Sequence, residues 1–188
     1  MSDINDRYEI RTAIKTALSH STLGFNALLA SNCAALGLPP YTIDFVSGSS
    51  NFAEAHITPE SDSDERRAIN IYPAIMLYTS SRQFTSRTKN TRFSGTIIAH
   101  IDLYLSFRER DGNDWIIEAS GAEDLADASE DAVIRAVDLL SARNGTSILP
   151  TPIVYALQGF AVEKSPIRFY GDGYKQLIQT LIPFEVTQ

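Results

Sequence analysis

One stretch of the chain, Thr96 to Phe107, gathers polar residues whose types could do chemistry. His100, Asp102 and Tyr104 occupy alternate positions in it, so on a β-strand their side chains project from the same face. A histidine beside an aspartate can serve as a general base. The polar outer face of a half-buried sheet has the same composition, however, and the pattern favours this second interpretation.

The other candidate residues lack the spacing of a catalytic or metal-binding site. The three histidines lie far apart, and Cys33 stands in a predicted helix without a basic neighbour, which favours core packing over a nucleophilic role. No glycine-rich phosphate loop, zinc-protease motif or serine-hydrolase motif occurs. The carboxylates at 60–65 and 123–131 lack the ligand pattern of a calcium loop. We therefore predict a protein that is not an enzyme and binds no cofactor or metal.

A local reversal of charge sets residues 80–92 apart from the rest of the chain. The segment contains basic residues and no acid, in a chain whose net charge is −7. The basic residues are Arg82, Arg87, Lys89 and Arg92. Because the segment joins two predicted strands, we expect a hairpin tip. Two interpretations stay open: a solvated tip, or a contact with an acidic surface or with DNA passing nearby.

Length and composition indicate one globular domain. The 188 residues are 44% hydrophobic and 21% charged, which is ordinary for a protein with a real core. The acidic balance argues against a general nucleic-acid-binding protein, and a single cysteine excludes an internal disulfide. The N-terminus does not resemble a signal peptide, and no apolar run approaches the roughly 20 residues of a membrane span. We expect a soluble protein made in the cytoplasm.

Hydrophobic periodicity places helices and strands around the stretch 96–107. Its odd positions are apolar, which is typical of a half-buried strand, and its length suits the spine of a sheet. Helices are predicted at 3–20, 22–36 and 120–143, and further strands at 41–46, 69–80, 153–164 and 175–186. Residues 22–68 are interpreted as a helix and an irregular arm inserted into a single domain, 1–188. The predicted fold class is α+β, an antiparallel sheet with helices packed on one face.

Five pieces of the chain carry a resemblance to a known family. They are the N-terminal helix around RYEIRTAIKTAL, the strands YPAIMLYTS and FSGTIIAHIDLYLSF, the helix EDAVIRAVDLL and the closing strand KQLIQTLIPFEV. Their order resembles that of the tail terminator proteins of long-tailed bacteriophages, which form a ring that caps the finished tail tube and faces the head. The second helix and the arm at 22–68 are larger than in the family pattern. Another neck or head–tail connector protein of the same fold is therefore an alternative.

The resemblance implies a structural protein of the virion's tail or neck, assembled in the host cytoplasm as a homo-hexameric ring. Its implied partners are the tail tube protein and the head connector or neck proteins, with DNA passing through the lumen without sequence-specific binding. We expect the basic hairpin at 80–92 to contact an acidic run of a neighbouring subunit, formed by Glu60, Asp62, Asp64 and Glu65. Two other classes stay open. One is a small-molecule-binding or enzymatic domain that uses the face of His100, and the other is an adaptor that pairs through a strand edge.

Overall fold

A computed structural model describes residues 3–46, 49–55, 73–80, 83–87, 93–107, 119–140, 156–157, 161–169 and 174–187. The helices in this part of the chain are α1 (Asp3–Leu18), α2 (Phe25–Leu36) and α3 (Ala119–Asp138). The strands are β1 (Phe52–Ala53), β2 (Ala74–Thr79), β3 (Gln83–Arg87), β4 (Phe93–Phe107), β5 (Ala156–Leu157), β6 (Ala161–Lys164), β7 (Arg168–Phe169) and β8 (Tyr174–Thr187). These strands belong to one sheet, which confirms the predicted α+β class. None of the described helices is long and apolar enough to cross a membrane.

β4 is the centre of the sheet, as the sequence predicts. It pairs with β8 from Ser94–Thr187 to Phe107–Tyr174, a ladder of roughly 40 Å at about 3.3 Å per residue. The other edge of β4 carries β2 and β3, and the outer edge of β8 carries β5, β6 and β7. These pairings are antiparallel. β1 pairs in parallel with β2, so the sheet is mixed and the expectation of a fully antiparallel sheet is corrected at this edge.

The helices cover one face of the sheet. The odd-numbered residues of β4 from Ile97 to Leu105 are buried there, beside Ile178 and Ile182 of β8. α3 follows β4 in the chain and precedes the strands on the far edge of the sheet, and its apolar positions from Ala122 to Val137, with Leu140 just beyond its end, join the same core. The buried residues of α1 and α2 belong to it as well. Removing this apolar surface from water, at about 25 cal/mol per Å², holds the helices to the sheet.

The element boundaries differ by a few residues from their predicted positions. α1 ends at Leu18, and in the turn before α2 His20 Nδ1 accepts a hydrogen bond from the N–H of Leu23 at 3.2 Å. α2 ends at Leu36 and is capped by Gly37, whose φ of 68° is the left-handed stop that the sequence predicts. Pro73 directly precedes β2, which confirms its expected place at the start of a strand.

The predicted strand at 41–46 is wrong, although alternate residues of it are buried. Asparagine side chains take the place of a neighbouring strand. Asn26 Nδ2 donates to the carbonyl oxygen of Ile43 at 2.8 Å, and Asn26 Oδ1 accepts from Ile43 N at 2.9 Å. Asn51 Oδ1 accepts from Asp44 N at 3.0 Å. A side-chain amide offers one acceptor and an N–H donor as a peptide group does, so the backbone is satisfied without a ladder.

The described part of the predicted insertion, 22–68, belongs to the core of the domain. Phe25, Phe45 and Phe52 are buried, and the ring of Phe45 lies 6.3 Å from Phe25 and 5.2 Å from Phe52 between centroids. Phe52 lies in β1, which the sequence analysis does not predict. Residues 56–68, with the acidic run, are outside the described residues. Up to residue 55, therefore, this part of the chain packs as an integral layer of the fold.

Pro183 lies within β8, where a proline ordinarily interrupts a ladder. Its partner in β4 is Ile98, whose carbonyl oxygen accepts a hydrogen bond from Ser80 N at 2.8 Å on the other side of β4. In an antiparallel ladder the N–H and C=O of one residue point to the same side, so Ile98 and Pro183 form a non-hydrogen-bonded pair. The ladder between β4 and β8 therefore does not need the N–H that Pro183 lacks.

Candidate functional site

Side chains from three strands form a hydrogen-bonded cluster on the sheet face away from the helices. We call it the sheet-face cluster: Tyr78, His100, Asp102 and Gln179. Tyr78 Oη donates to Asp102 Oδ2 at 3.0 Å, and Gln179 Nε2 donates to Asp102 Oδ1 at 2.9 Å. The imidazole of His100 stacks on the ring of Tyr78, with centroids 4.6 Å apart and planes inclined by 6°. The structure thus confirms that His100 and Asp102 share this face.

The strand register brings these four residues together. Tyr78 stands opposite His100 in the ladder between β2 and β4, and Gln179 stands opposite Asp102 in the ladder between β4 and β8. Residues directly opposite one another have Cβ atoms about 5 Å apart, close enough for ring stacking and for an amide–carboxylate hydrogen bond. A shift of one residue in either ladder would turn Tyr78 or Gln179 to the helix face. The cluster therefore stabilises the register that creates it.

Asp102 is a buried carboxylate, 1% exposed, whose two oxygens accept hydrogen bonds from neutral donors. Bonds of this kind contribute about 1.5–3 kcal/mol each and offset part of the cost of burying the charge. Burial, and then the charge of Asp102, raise the pKa of Tyr78. The Tyr78 hydroxyl therefore stays protonated at neutral pH and acts as a donor.

The geometry does not form a catalytic histidine–aspartate pair. In such a pair the carboxylate accepts a hydrogen bond from the imidazole, whereas the oxygens of Asp102 accept from Tyr78 and Gln179. The raised pKa of Tyr78 also opposes a role for its hydroxyl as a nucleophile. What the arrangement can do is hold three strands in register and place a polar centre on the outer face of the sheet.

Half-buried apolar side chains surround the sheet-face cluster. Ile98 and Tyr104 flank it on β4, and Leu177, Leu181 and Pro183 flank it on β8. The buried residues of the three helices belong to the core on the opposite face. This face therefore presents half-buried apolar side chains around a hydrogen-bonded polar centre.

A charged feature lies where α3 meets β6. Lys164 forms ion pairs with Asp127 and, at 2.9 Å, with Glu130. Burial alone would lower the pKa of Lys164, but the hydrogen bonds to the two carboxylates outweigh it and the pKa is raised. Three further acids are exposed on the same helix. We call the five acidic residues the acidic front: Glu123, Asp124, Asp127, Glu130 and Asp131.

The predicted contact residues lie mostly outside the described part of the chain. Arg87 ends β3, opposite Phe93 at the start of β4, which confirms that the basic segment contributes to an antiparallel hairpin. The other predicted contact residues lie outside the described residues: Arg82, Lys89 and Arg92 of the basic segment, and Glu60, Asp62, Asp64 and Glu65 of the acidic run. The expected contact between these two groups is therefore left as a proposal.

The roles of Tyr78 and Gln179 in the cluster, and the pairing of Lys164 with α3, are not predicted from the sequence. Tyr78 lies in the predicted strand 69–80 and Gln179 in the predicted strand 175–186, so alternation alone could have assigned each to a face. The partner of each residue depends on the register between strands, and no local pattern gives that register.

The described residues offer no metal centre. No group of three or more histidine, cysteine, aspartate or glutamate side chains among them could hold a metal ion. Cys33 is buried, and desolvation raises the pKa of its thiol. This agrees with the predicted role of Cys33 in core packing, since a reactive thiol needs a lowered pKa.

Comparison of the sequence with protein-family models and with curated protein sequences finds no match. The features of the chain that bear on its function are therefore the fold, the sheet face opposite the helices and the distribution of charge.

Proposed function

We propose that this protein is a structural subunit of a long-tailed bacteriophage, a tail terminator that caps the tail tube as a hexameric ring and offers a docking surface to the head connector. The order of helices and strands is the basis of the resemblance. Two features of the fold support it: the separation of Arg87 from the acidic front, and the half-buried apolar side chains on the sheet face away from the helices. In this proposal the protein acts by assembly and catalyses no reaction.

Arg87 of the basic segment and the acidic front lie far apart along the sheet. Arg87 of the basic segment lies at the end of β4 that begins with Phe93, because it pairs with that residue. The acidic front is fixed near Leu103, because Lys164 contacts it and stands level with Leu103 across β8. From Phe93 to Leu103 the strand covers about 33 Å. This is several times the Debye length of about 8 Å at physiological ionic strength.

Arg87 and the acidic front are therefore too far apart to pair within one copy, but they can pair between copies. The basic end of one subunit can contact the acidic front of the next, which is a head-to-tail contact between two different surfaces. Repeating such a contact gives a ring when the rotation between copies closes. This separation of complementary charges is the observation that carries the proposal.

The proposed contacts assign a role to each charged group. The basic side is Arg82, Arg87, Lys89 and Arg92, and the acidic side is the acidic front together with Glu60, Asp62, Asp64 and Glu65. The sheet face around the sheet-face cluster is then available to a neighbouring ring, either the tail tube protein or the head connector and neck proteins. DNA passes through the lumen without sequence-specific contacts, and the protein resides in the virion.

A neck or head–tail connector protein of the same fold is the second candidate. The observation that favours it is the part of the chain from α2 to β1, which is built into the core and is larger than the family pattern. Such a protein would use the same contact between copies. It would differ in its partner, so binding of the purified protein to isolated tails or to isolated heads separates the two candidates.

Charge reversal tests the proposal. Arg87→Glu with Lys89→Glu should weaken ring formation in solution and on purified tails, measured by light scattering after size exclusion and by native mass spectrometry. The control is Arg168→Glu with Lys175→Glu, which makes the same charge change at exposed positions and should leave assembly intact. Reversing Asp124 to Lys in the first variant should restore part of the assembly. Unchanged assembly in the first variant, or equal loss in the control, would count against the proposal.

A further inference from the structure

We propose that Lys164 competes, within each copy, with the basic residues of the neighbouring copy for two carboxylates of the acidic front, Asp127 and Glu130. This rests on the proposed head-to-tail contact between copies, whose strength Lys164 limits. Lys164 ends β6, and its ammonium group forms ion pairs with Asp127 and, at 2.9 Å, with Glu130. Part of the acidic front is therefore already occupied by a cation of the same chain.

The internal cation is held in place, whereas one of its carboxylates is open to a competitor. The side chains of Lys164 and Glu130 are each 25% exposed, while that of Asp127 is 61% exposed. Burial lowers the pKa of Lys164, but the hydrogen bonds to the two carboxylates outweigh it and the pKa is raised. The ammonium group therefore stays charged at neutral pH, and a guanidinium from another copy reaches Asp127 only in competition with it.

Lys164 reduces the negative charge that these two carboxylates present to another copy. Asp127 and Glu130 would present two negative charges, and Lys164 leaves one. The Coulomb attraction for an incoming guanidinium falls by about half. Because the site is partly exposed and screened by water, removing Lys164 should strengthen the contact only about two- to fivefold.

The other acids of the front differ in how far they are engaged within the chain. Asp131 accepts a hydrogen bond from Asn32 at 2.9 Å and pairs with Arg135 at 3.5 Å. Glu123 and Asp124 are exposed and form no ion pair with any described residue. The basic residues of a neighbour therefore meet these two acids without internal competition, and the rest of the front only against it.

Calorimetric titration of the full chain with a synthetic peptide of residues 80–92 tests the competition without requiring a ring. Lys164→Gln should bind the peptide about two- to fivefold more tightly than the wild type at low salt. The gain should nearly disappear at about 1 M NaCl, where charges are screened beyond about 3 Å. The matched control is Arg168→Gln, which removes one positive charge at an exposed position and should bind as the wild type does.

A purely structural role of Lys164 predicts a different result. Loss of its ion pairs lowers stability, so a structural role alone would weaken peptide binding or leave it unchanged. A second measurement uses the wild-type chain labelled with ¹³C-lysine. The Cε–H signal of Lys164 should shift as the peptide is added, while that of Lys15, which pairs with Glu54, should not.

The competition is overturned if Lys164→Gln binds the peptide no more tightly than the wild type, if Arg168→Gln gains equally, or if neither chain binds the peptide. Failure of the proposed function is a separate result. A wild-type chain that binds the peptide but stays monomeric on purified tails contradicts the hexameric ring, while the gain in Lys164→Gln still decides the competition.

Discussion

Replacing Asn26 by alanine should lower the free energy of unfolding by about 2–4 kcal/mol. The Asn26 amide makes hydrogen bonds of 2.8 and 2.9 Å to the carbonyl oxygen and the N–H of Ile43. Ile43 is 2% exposed, so water cannot take over these bonds. A buried group left unpaired costs about 1–3 kcal/mol, and two such groups are created. The higher helix propensity of alanine returns only about 0.5 kcal/mol.

Asn32→Ala is the matched control, because Asn32 lies on the same helix and undergoes the same substitution. Its amide donates to the carbonyl oxygen of Ala128 at 3.0 Å and to the exposed Asp131 at 2.9 Å. Water can replace the bond to Asp131, so we expect a loss below about 1 kcal/mol. Urea denaturation followed by circular dichroism measures both variants. A loss in Asn26→Ala no larger than that in Asn32→Ala would refute the conclusion that a side chain stands in for a strand.

Polar groups elsewhere give three further tests. Lys164→Gln should cost about 1 kcal/mol at low salt and less at about 1 M NaCl, because it removes ion pairs; an equal loss at both salt concentrations would contradict this. Burial raises the pKa values of Tyr41 and Tyr78 above their ordinary value of 10.0, so above that pH the unfolded chain ionises first. The free energy of unfolding, measured by urea titration, should keep its full value below pH 10.0 and fall above it. The fall should be shallower in Tyr41→Phe; a fall as steep as that of the wild type would contradict this. Asp102→Ala removes the carboxylate that accepts from Tyr78 and Gln179 and should cost about 2–4 kcal/mol. Asp102→Asn, which keeps an acceptor for Tyr78, should cost less than half as much in the same urea assay; equal losses would refute the assigned hydrogen bonds.

Local pattern was sufficient for the elements that bury a regular apolar surface. The residues from Ile97 to Leu105 alternate, so their strand was predicted, and the stripe from Leu125 to Leu140 indicated α3. Elements stabilised by distant side chains could not be predicted in this way. The residues at 41–46 alternate as a strand does, but their backbone is satisfied by Asn26 and Asn51. β1 has too few residues for a period to be recognised.

The sheet-face cluster could be predicted only in part. His100 and Asp102 are two positions apart on one strand, so their common face follows from alternation. Tyr78 and Gln179 reach them through the register of two long ladders, which is set by the packing of the whole sheet. The basic segment, 80–92, is visible in composition alone. Under the proposed function its partner is a surface on another molecule, and no pattern within one chain determines such a surface.

Disulfide cross-linking between copies tests the head-to-tail contact most directly. Cys33 is buried and should not interfere. A chain that carries both Arg87→Cys and Asp124→Cys is oxidised at high concentration or on purified tails. It should give a ladder of covalent oligomers that ends at the closed ring, while each single variant should form no covalent oligomers. Absence of the ladder, or a single variant that dimerises as readily as the double variant, would contradict assembly through opposite ends of β4.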